Sequence, residues 1–196
     1  RDTWRIGMPR NLLTILISCT LSLPVVAMAQ ETSGTLSATD ILKAEIEAVL
    51  NSPNGGVDRQ VRVVDTGHSQ VAIGILHRGP VEPDGTAVTG FTHSKVTEVY
   101  YVVSGSGTLT TGGTLLDVVA RPPDSDSVTI LAGPGASATT RDGYSRQVSV
   151  GDIIVIPAGL FHGWQHIEDH VTYLSIRPDP DRVLPAGYIN PALQDN

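Results

Sequence analysis

The residues with the clearest capacity for chemistry lie between Gly151 and His166, GDIIVIPAGLFHGWQH. This stretch reads as a strand, a tight Pro-Gly turn and a second strand. On that second strand His162, Trp164 and His166 fall two apart and so share one face, with Phe161, Gly163 and Gln165 on the other. Imidazoles ligate metals and carry protons near neutral pH. Two of them on one face, beside an indole, point to a site rather than to plain core. A second stretch, Gly90 to Gly107, reads GFTHSKVTEVYYVVSGSG. Strand alternation here groups Phe91 with His93, and on the next strand Glu98 with Tyr100 and Val102.

The spacings carry a resemblance. Gly151, five residues, Pro157-Ala158-Gly159, two residues and His162 resemble the second signature motif of the cupin superfamily, in which that histidine is a metal ligand. The family's asparagine four residues later is His166 here. His93, four residues, Glu98, six residues and Gly105 resemble the first motif, with Phe91 standing where the family has its first histidine. The resemblance spans Val88 to Arg177. It implies an all-β double-stranded β-helix, or jelly roll, with the site in the barrel mouth, and by analogy a homodimer.

At those positions His93, Glu98 and His162 make up a two-histidine, one-carboxylate set that leaves coordination positions open. Such a set holds Fe(II), and Zn, Mn, Ni or Cu also suit it. Taken singly, each histidine is better read as a hydrogen-bonded structural residue; it is the set at these positions that favours a metal. His77 is a candidate additional ligand, equally readable as a core-edge histidine. Tyr100 and His166 are the candidate catalytic proton donors, with His166 facing substrate or backing the ligands. Phe91 and Trp164 are candidate pocket-lining residues, with core packing as their simpler role. Arg141 and Arg146 are available to an anionic substrate or to solvent. His68 and His170 read as surface residues.

Those side chains need strands to position them. Short apolar segments separated by Gly, Pro, Asp and Asn recur at 61–64, 71–77, 88–93, 99–103, 107–111, 127–131, 153–156 and 171–176. Many short strands at this spacing predict a sandwich or barrel, and nothing helical intervenes to build a parallel α/β sheet. The segment 112–150, rich in Gly, Pro, Ser, Asp and Thr, reads as a long loop, a lid or specificity element. One helix is expected over 39–50, with Ser37, Thr39 and Asp40 as capping oxygens and Leu42, Ile46, Val49 and Leu50 as its apolar stripe. It packs either on its own domain or on a partner subunit.

Upstream, a basic start, an apolar run from Leu12 to Val26 and Ala27-Met28-Ala29 describe a signal peptide cleaved after Ala29 and a periplasmic or secreted protein. Ser18, Cys19, Thr20 and Pro24 argue against a membrane anchor. A lipobox-like Leu16-Ile17-Ser18-Cys19 is a minor alternative. The expected domains are a leader at 1–29, an extension with one helix at 30–56 and a β-barrel at 57–196. The whole chain carries a net charge of -7, and losing the three arginines and one aspartate of the leader takes it to -9. Such acidity disfavours nucleic acid and anionic membrane surfaces as partners. The single cysteine lies in the leader, so no internal disulfide or catalytic cysteine is expected in the exported chain. No nucleophile elbow, P-loop, dinucleotide fingerprint or H-E-x-x-H motif is present. Two functions remain: an exported metal-dependent oxidoreductase, isomerase or lyase acting on a small oxygenated molecule, or a noncatalytic small-molecule-binding barrel with a degenerate metal site. A purely structural role ranks last.

Overall fold

The computed structural model describes residues 37–53, 55–85 and 87–194. The apolar run, Cys19 and the cleavage site after Ala29 lie outside these residues. No helix among the described residues is long and apolar enough to cross a membrane.

Ten antiparallel strands carry the structure: β1 (Asp58–Asp65), β2 (Gln70–Arg78), β3 (Val88–His93), β4 (Glu98–Thr111), β5 (Leu115–Ala120), β6 (Gly135–Thr140), β7 (Tyr144–Ser149), β8 (Ile153–Ile156), β9 (His162–His166) and β10 (Val171–Asp179). β4 is one long strand where two were expected, and it joins the two halves of the barrel. Its first part pairs with β10 and β8, and its second with β7 and β9. The rest of one sheet is β1–β2–β10, and β9–β3–β6–β5 completes the other. This is the jelly-roll arrangement that the motifs imply.

Alternation decides which side chains enter the barrel. On β10, Tyr173, Ser175 and Arg177 point inward and are fully buried. On β4, Glu98, Tyr100 and Val102 do the same. The main core joins Tyr100, Val102, Leu109, Ile156, Trp164, Ile167 and Tyr173, whose burial supplies the apolar driving force for closing the barrel.

The helix α1 spans Lys43–Leu50 and begins later than expected. Its start is held by Glu45, whose Oε2 accepts from the Leu42 amide at 2.9 Å, rather than by Ser37, Thr39 or Asp40. Leu42 is exposed, while Ile46, Val49 and Leu50 pack with Val61 and Ile75. The helix therefore covers its own β1–β2 pair.

The segment 112–150 is not a loop. Gly112 and Gly113, both at positive φ, turn the chain from β4 into β5, and three strands follow before Val150. β6 and β7 carry mainly Ser, Thr, Arg and Gln, so their apolar signal is faint, whereas β5, LLDVVA, is apolar but mostly exposed. Ser127–Ala132, read as a strand from its β-branched residues, is a π-helical turn. Tertiary contacts override propensity there: Thr129 Oγ1 donates to Ser125 O, and Leu131 O accepts from Arg177 Nη1 at 2.9 Å.

Candidate metal centre

Three strand ends bring the site together. His93 closes β3, Glu98 opens β4 and His162 opens β9. Phe91 on β3 stands directly opposite His162 on β9. That approach requires Gly90, because a Cβ there would lie 2.2 Å from His162 O. The Pro157-Ala158-Gly159 turn then locks the two motifs together. The Gly159 amide donates to His93 O at 2.7 Å, and Gly159 takes φ +84°, a conformation that favours glycine.

His93, Glu98 and His162 are all buried, and their ligating atoms lie within 4.8 Å of one another. Glu98 Oε2 is 3.4 Å from His93 Nε2 and 3.1 Å from His162 Nε2. Donor atoms each about 2.1 Å from one ion, at tetrahedral or octahedral angles, stand about 3.0–3.4 Å apart. The two separations from Glu98 Oε2 match. His162 Nδ1 lies 3.1 Å from Leu160 O, an acceptor only. Nδ1 therefore carries the proton and Nε2 turns its lone pair to the site. His93 Nδ1 is buried without a partner, so its ring is the less firmly oriented of the two.

Glu98 is fixed from behind. Its Oε1 accepts from Ser175 Oγ at 2.8 Å and from Arg177 Nε at 2.9 Å. Its Oε2 accepts from the Tyr100 hydroxyl at 3.0 Å and is the oxygen turned to the histidines. Burial alone pushes this carboxyl up, but the Arg177 charge and the contacts with His162 and His93 outweigh it and hold Glu98 well below the usual carboxylate range. Burial pushes Tyr100 well above its ordinary value, and the Glu98 charge adds to the rise, so Tyr100 keeps its proton. Burial likewise pushes His93 down, against the pull of Glu98, favouring the neutral ring that a metal needs.

Arg177 is the centre of this support. Fully buried, it also donates to Gln60 Oε1 at 3.0 Å and to Asp58 Oδ2 at 2.5 Å. Burial opposes its charge, and Asp58 and Glu98 more than restore it. The alternation of Arg177 with Tyr173 and Ser175 on one strand face was the sequence signal for it.

An inner chamber of about 230 Å³ opens over the cluster, lined by His93, Glu98, His162, Tyr100, Phe91 and, from β2, Leu76 and Arg78. An outer cavity of about 280 Å³ shares Phe91, Tyr100, His162 and Arg78 and adds Trp164. Phe91 and Trp164 thus both line cavities. Trp164 also donates from Nε1 to the Tyr173 hydroxyl at 3.3 Å.

Four other expected residues fall elsewhere. His77 is exposed on the outer face of β2, where Nδ1 meets Thr172 Oγ1 at 2.8 Å and the ring stacks on His170 at 5.6 Å. Strand parity removes it from the cluster and places its neighbour Arg78 at the chamber instead. His166 turns Nδ1 to Val81 O at 3.0 Å, and it lines neither cavity. Arg146 lies over Tyr144 and donates to Thr111 Oγ1, and Arg141 is exposed. The arginine that does reach the chamber from the 112–150 segment is Arg121, stacked on the Phe91 ring at 4.4 Å.

Among solved structures, a Bacillus halodurans protein overlaps with a TM-score of 0.42 and 17% identity, covering 78% of this chain and 89% of that one. An oxalate oxidase in complex with glycolate gives 0.35 and 18%, covering 66% and 54%. KdgF from Halomonas sp. gives 0.35 and 16%, covering 65% and 85%. These overlaps decide nothing about substrate or reaction. No curated protein matches the chain. The cupin family model matches residues 43–190, through both motifs and nearly all of the barrel, and the chain belongs to the cupin family.

Proposed function

We propose that the protein is a metal-dependent cupin enzyme acting on a small oxygenated molecule in the inner chamber, with His93, Glu98 and His162 as the ligands of a divalent ion. The observation that carries this reading is the convergence of two imidazole nitrogens and one carboxylate oxygen, all buried and all within 4.8 Å of each other. Such an ion supplies Lewis acidity or, if it is iron, redox chemistry of the dioxygenase type; isomerase and lyase reactions need only the former.

The protein's own groups have separate tasks. Arg177 and Ser175 hold Glu98 Oε1, which leaves Oε2 as the ligating atom. Leu160 O sets the tautomer of His162. Tyr100, protonated and hydrogen-bonded to Glu98 Oε2, is a fixed donor at the chamber wall rather than a base. Phe91, Leu76 and Trp164 exclude water around the bound molecule. His166, tied to Val81 O, takes no part in moving protons.

The test is a titration of the chelator-treated chain with Zn(II), Mn(II) and, anaerobically, Fe(II), followed by NMR of each loaded form with a panel of small hydroxy acids, oxo acids and phenols. The reading predicts one equivalent of metal, lost in His162→Ala, and consumption of at least one compound by the parent alone. Phe91, standing where the family has a histidine, favours a second reading, a noncatalytic ligand-binding barrel. Ligand binding without consumption by any metal form would establish that one instead.

We also propose export with cleavage after Ala29, and assembly as a homodimer. Gln30 as the amino terminus of the protein recovered outside the cytoplasm would bear out the first. Light scattering reports the second.

A further inference from the structure

Among the described residues, three arginines meet a carboxylate: buried Arg177, half-buried Arg62 and exposed Arg182. Arg177 meets Asp58 and Glu98, Arg62 meets Glu45, and Arg182 meets Asp65. Arg59 is spent on the carbonyls of Val49, Leu50 and Ser52. Half-buried Arg78, Arg121 and Arg146 have neither arrangement, and Arg146 lies over Tyr144, away from the chamber. Arg78 and Arg121 both line the inner chamber, and among the described residues neither has a carboxylate within ion-pair distance. Arg78 donates Nε to the Tyr173 hydroxyl at 3.0 Å. Arg121 donates Nη1 to Ser127 Oγ, and its Cζ lies over the Phe91 ring, 4.4 Å from the centroid.

The two acids of the chamber, Asp58 and Glu98, are both committed to Arg177. Among carboxylates and guanidiniums alone, Asp58 and Glu98 stand against Arg78, Arg121 and Arg177. Glu82 and Asp84 also border Arg78, but from the outer cavity, where both are exposed and screened by solvent. Burial depresses the Arg121 guanidinium from its ordinary value, Asp58 and Glu98 pull it back up, and Arg177 depresses it further. A half-buried cation without a counterion is costly unless a ligand completes it.

We propose that the inner chamber is a binding subsite for a small organic carboxylate, taken by the Arg121 guanidinium with Arg78 as the second cation. Contact with the Phe91 ring and the bond to Ser127 Oγ hold the Arg121 guanidinium at the chamber wall, and a guanidinium takes a carboxylate through paired hydrogen bonds. The remaining wall selects the rest of the molecule. Val57, Leu76, Leu131 and Phe91 offer apolar surface to a carbon skeleton, for which inorganic phosphate has no counterpart. About 230 Å³ lies below the common range for ligand pockets, about 300–1,000 Å³, so the skeleton is short. The subsite deepens the reading of the chamber as a ligand site and does not depend on the metal.

The experiment is isothermal titration of the full chain, chelator-treated and zinc-loaded, with propionate, malonate and succinate. Propionamide, malonamide and inorganic phosphate serve as comparators, and Arg121→Gln as the variant, its zinc content and unfolding midpoint measured in parallel. The expected result is binding of at least one carboxylate. Its amide should bind at least tenfold more weakly, and Arg121→Gln should lose at least tenfold with zinc content and midpoint unchanged, as expected for one charge-assisted contact. No carboxylate bound in either form, an amide or phosphate bound as tightly, or undiminished binding by Arg121→Gln would each overturn the proposal. If zinc is not retained while the chelated chain still binds a carboxylate through Arg121, the metal reading fails and the subsite stands. Zinc held without any carboxylate gives the converse.

Discussion

Replacing Arg177 with Met removes the cation behind the His93, Glu98 and His162 cluster while roughly keeping the volume. Arg177 is fully buried, and its loss strips the donor from Asp58 Oδ2, Gln60 Oε1 and Leu131 O, and one of two donors from Glu98 Oε1. Three stranded acceptors at about 1–3 kcal/mol each give about 3–9 kcal/mol. Breaking one side of a buried ion pair costs about 3–5 kcal/mol. Asp58 keeps some access to water, with 22% side-chain exposure, so solvent takes back part of the loss and the lower estimate governs. At about 2–4 °C per kcal/mol for a chain of this size, the midpoint should fall by about 6–20 °C. The assay is urea and thermal unfolding with chelator present, so that bound metal does not mask the change. Adding Glu98→Gln should relieve part of the cost, making the double variant more stable than the sum of the singles by at least about 1 kcal/mol. A loss below about 1 kcal/mol for Arg177→Met, or strict additivity with Glu98→Gln, would refute the claim that Arg177 and Glu98 are one buried unit.

Two further outcomes follow from the structure. Gly90→Ala drives a Cβ to 2.2 Å from His162 O and should cost about 1–3 kcal/mol or more, with weakened metal retention, whereas Gly79→Ala, with nothing within 4 Å, should stay within about 0.5 kcal/mol in the same urea series. Asp65, hydrogen-bonded to Arg182 and to the Gly67 amide, is held down to about 2. Because its folded value is depressed, its contribution is present above the unfolded value of about 3.9 and disappears as pH falls through about 2. An NMR titration of its carboxyl carbon should show that midpoint in the parent, and a clearly higher one in Arg182→Ala.

The two motifs made the barrel and the candidate ligands readable, because each ties spacing to a strand parity. His93 and Glu98 sit at neighbouring strand ends, and His162 follows a Pro-Gly turn whose amide bonds back to His93. What escaped was of three kinds. β6 reads GASATT, small and hydroxyl side chains half-buried or buried on both faces, and β7 reads YSRQVS, exposed at most positions, so neither shows the apolar alternation that marks a half-buried strand. The turn at 127–132 has a strand's composition, but Arg177 claims its carbonyl. The chamber's cations were hidden by parity and distance: Arg78 is one residue past His77 on the opposite face of β2, and Arg121 comes from the segment read as a loop. A charged residue at an inward position of a strand, as with Arg177, is the signal that parity alone could have raised.

The most direct measurement is anomalous diffraction from crystals of the zinc- or iron-loaded chain, recorded at the absorption edge of the ion. One strong peak per chain is expected within about 2.0–2.3 Å of His93 Nε2, His162 Nε2 and Glu98 Oε2, absent in His162→Ala. A loaded protein whose ion sits elsewhere, or a parent chain that shows no peak between these atoms, would contradict it.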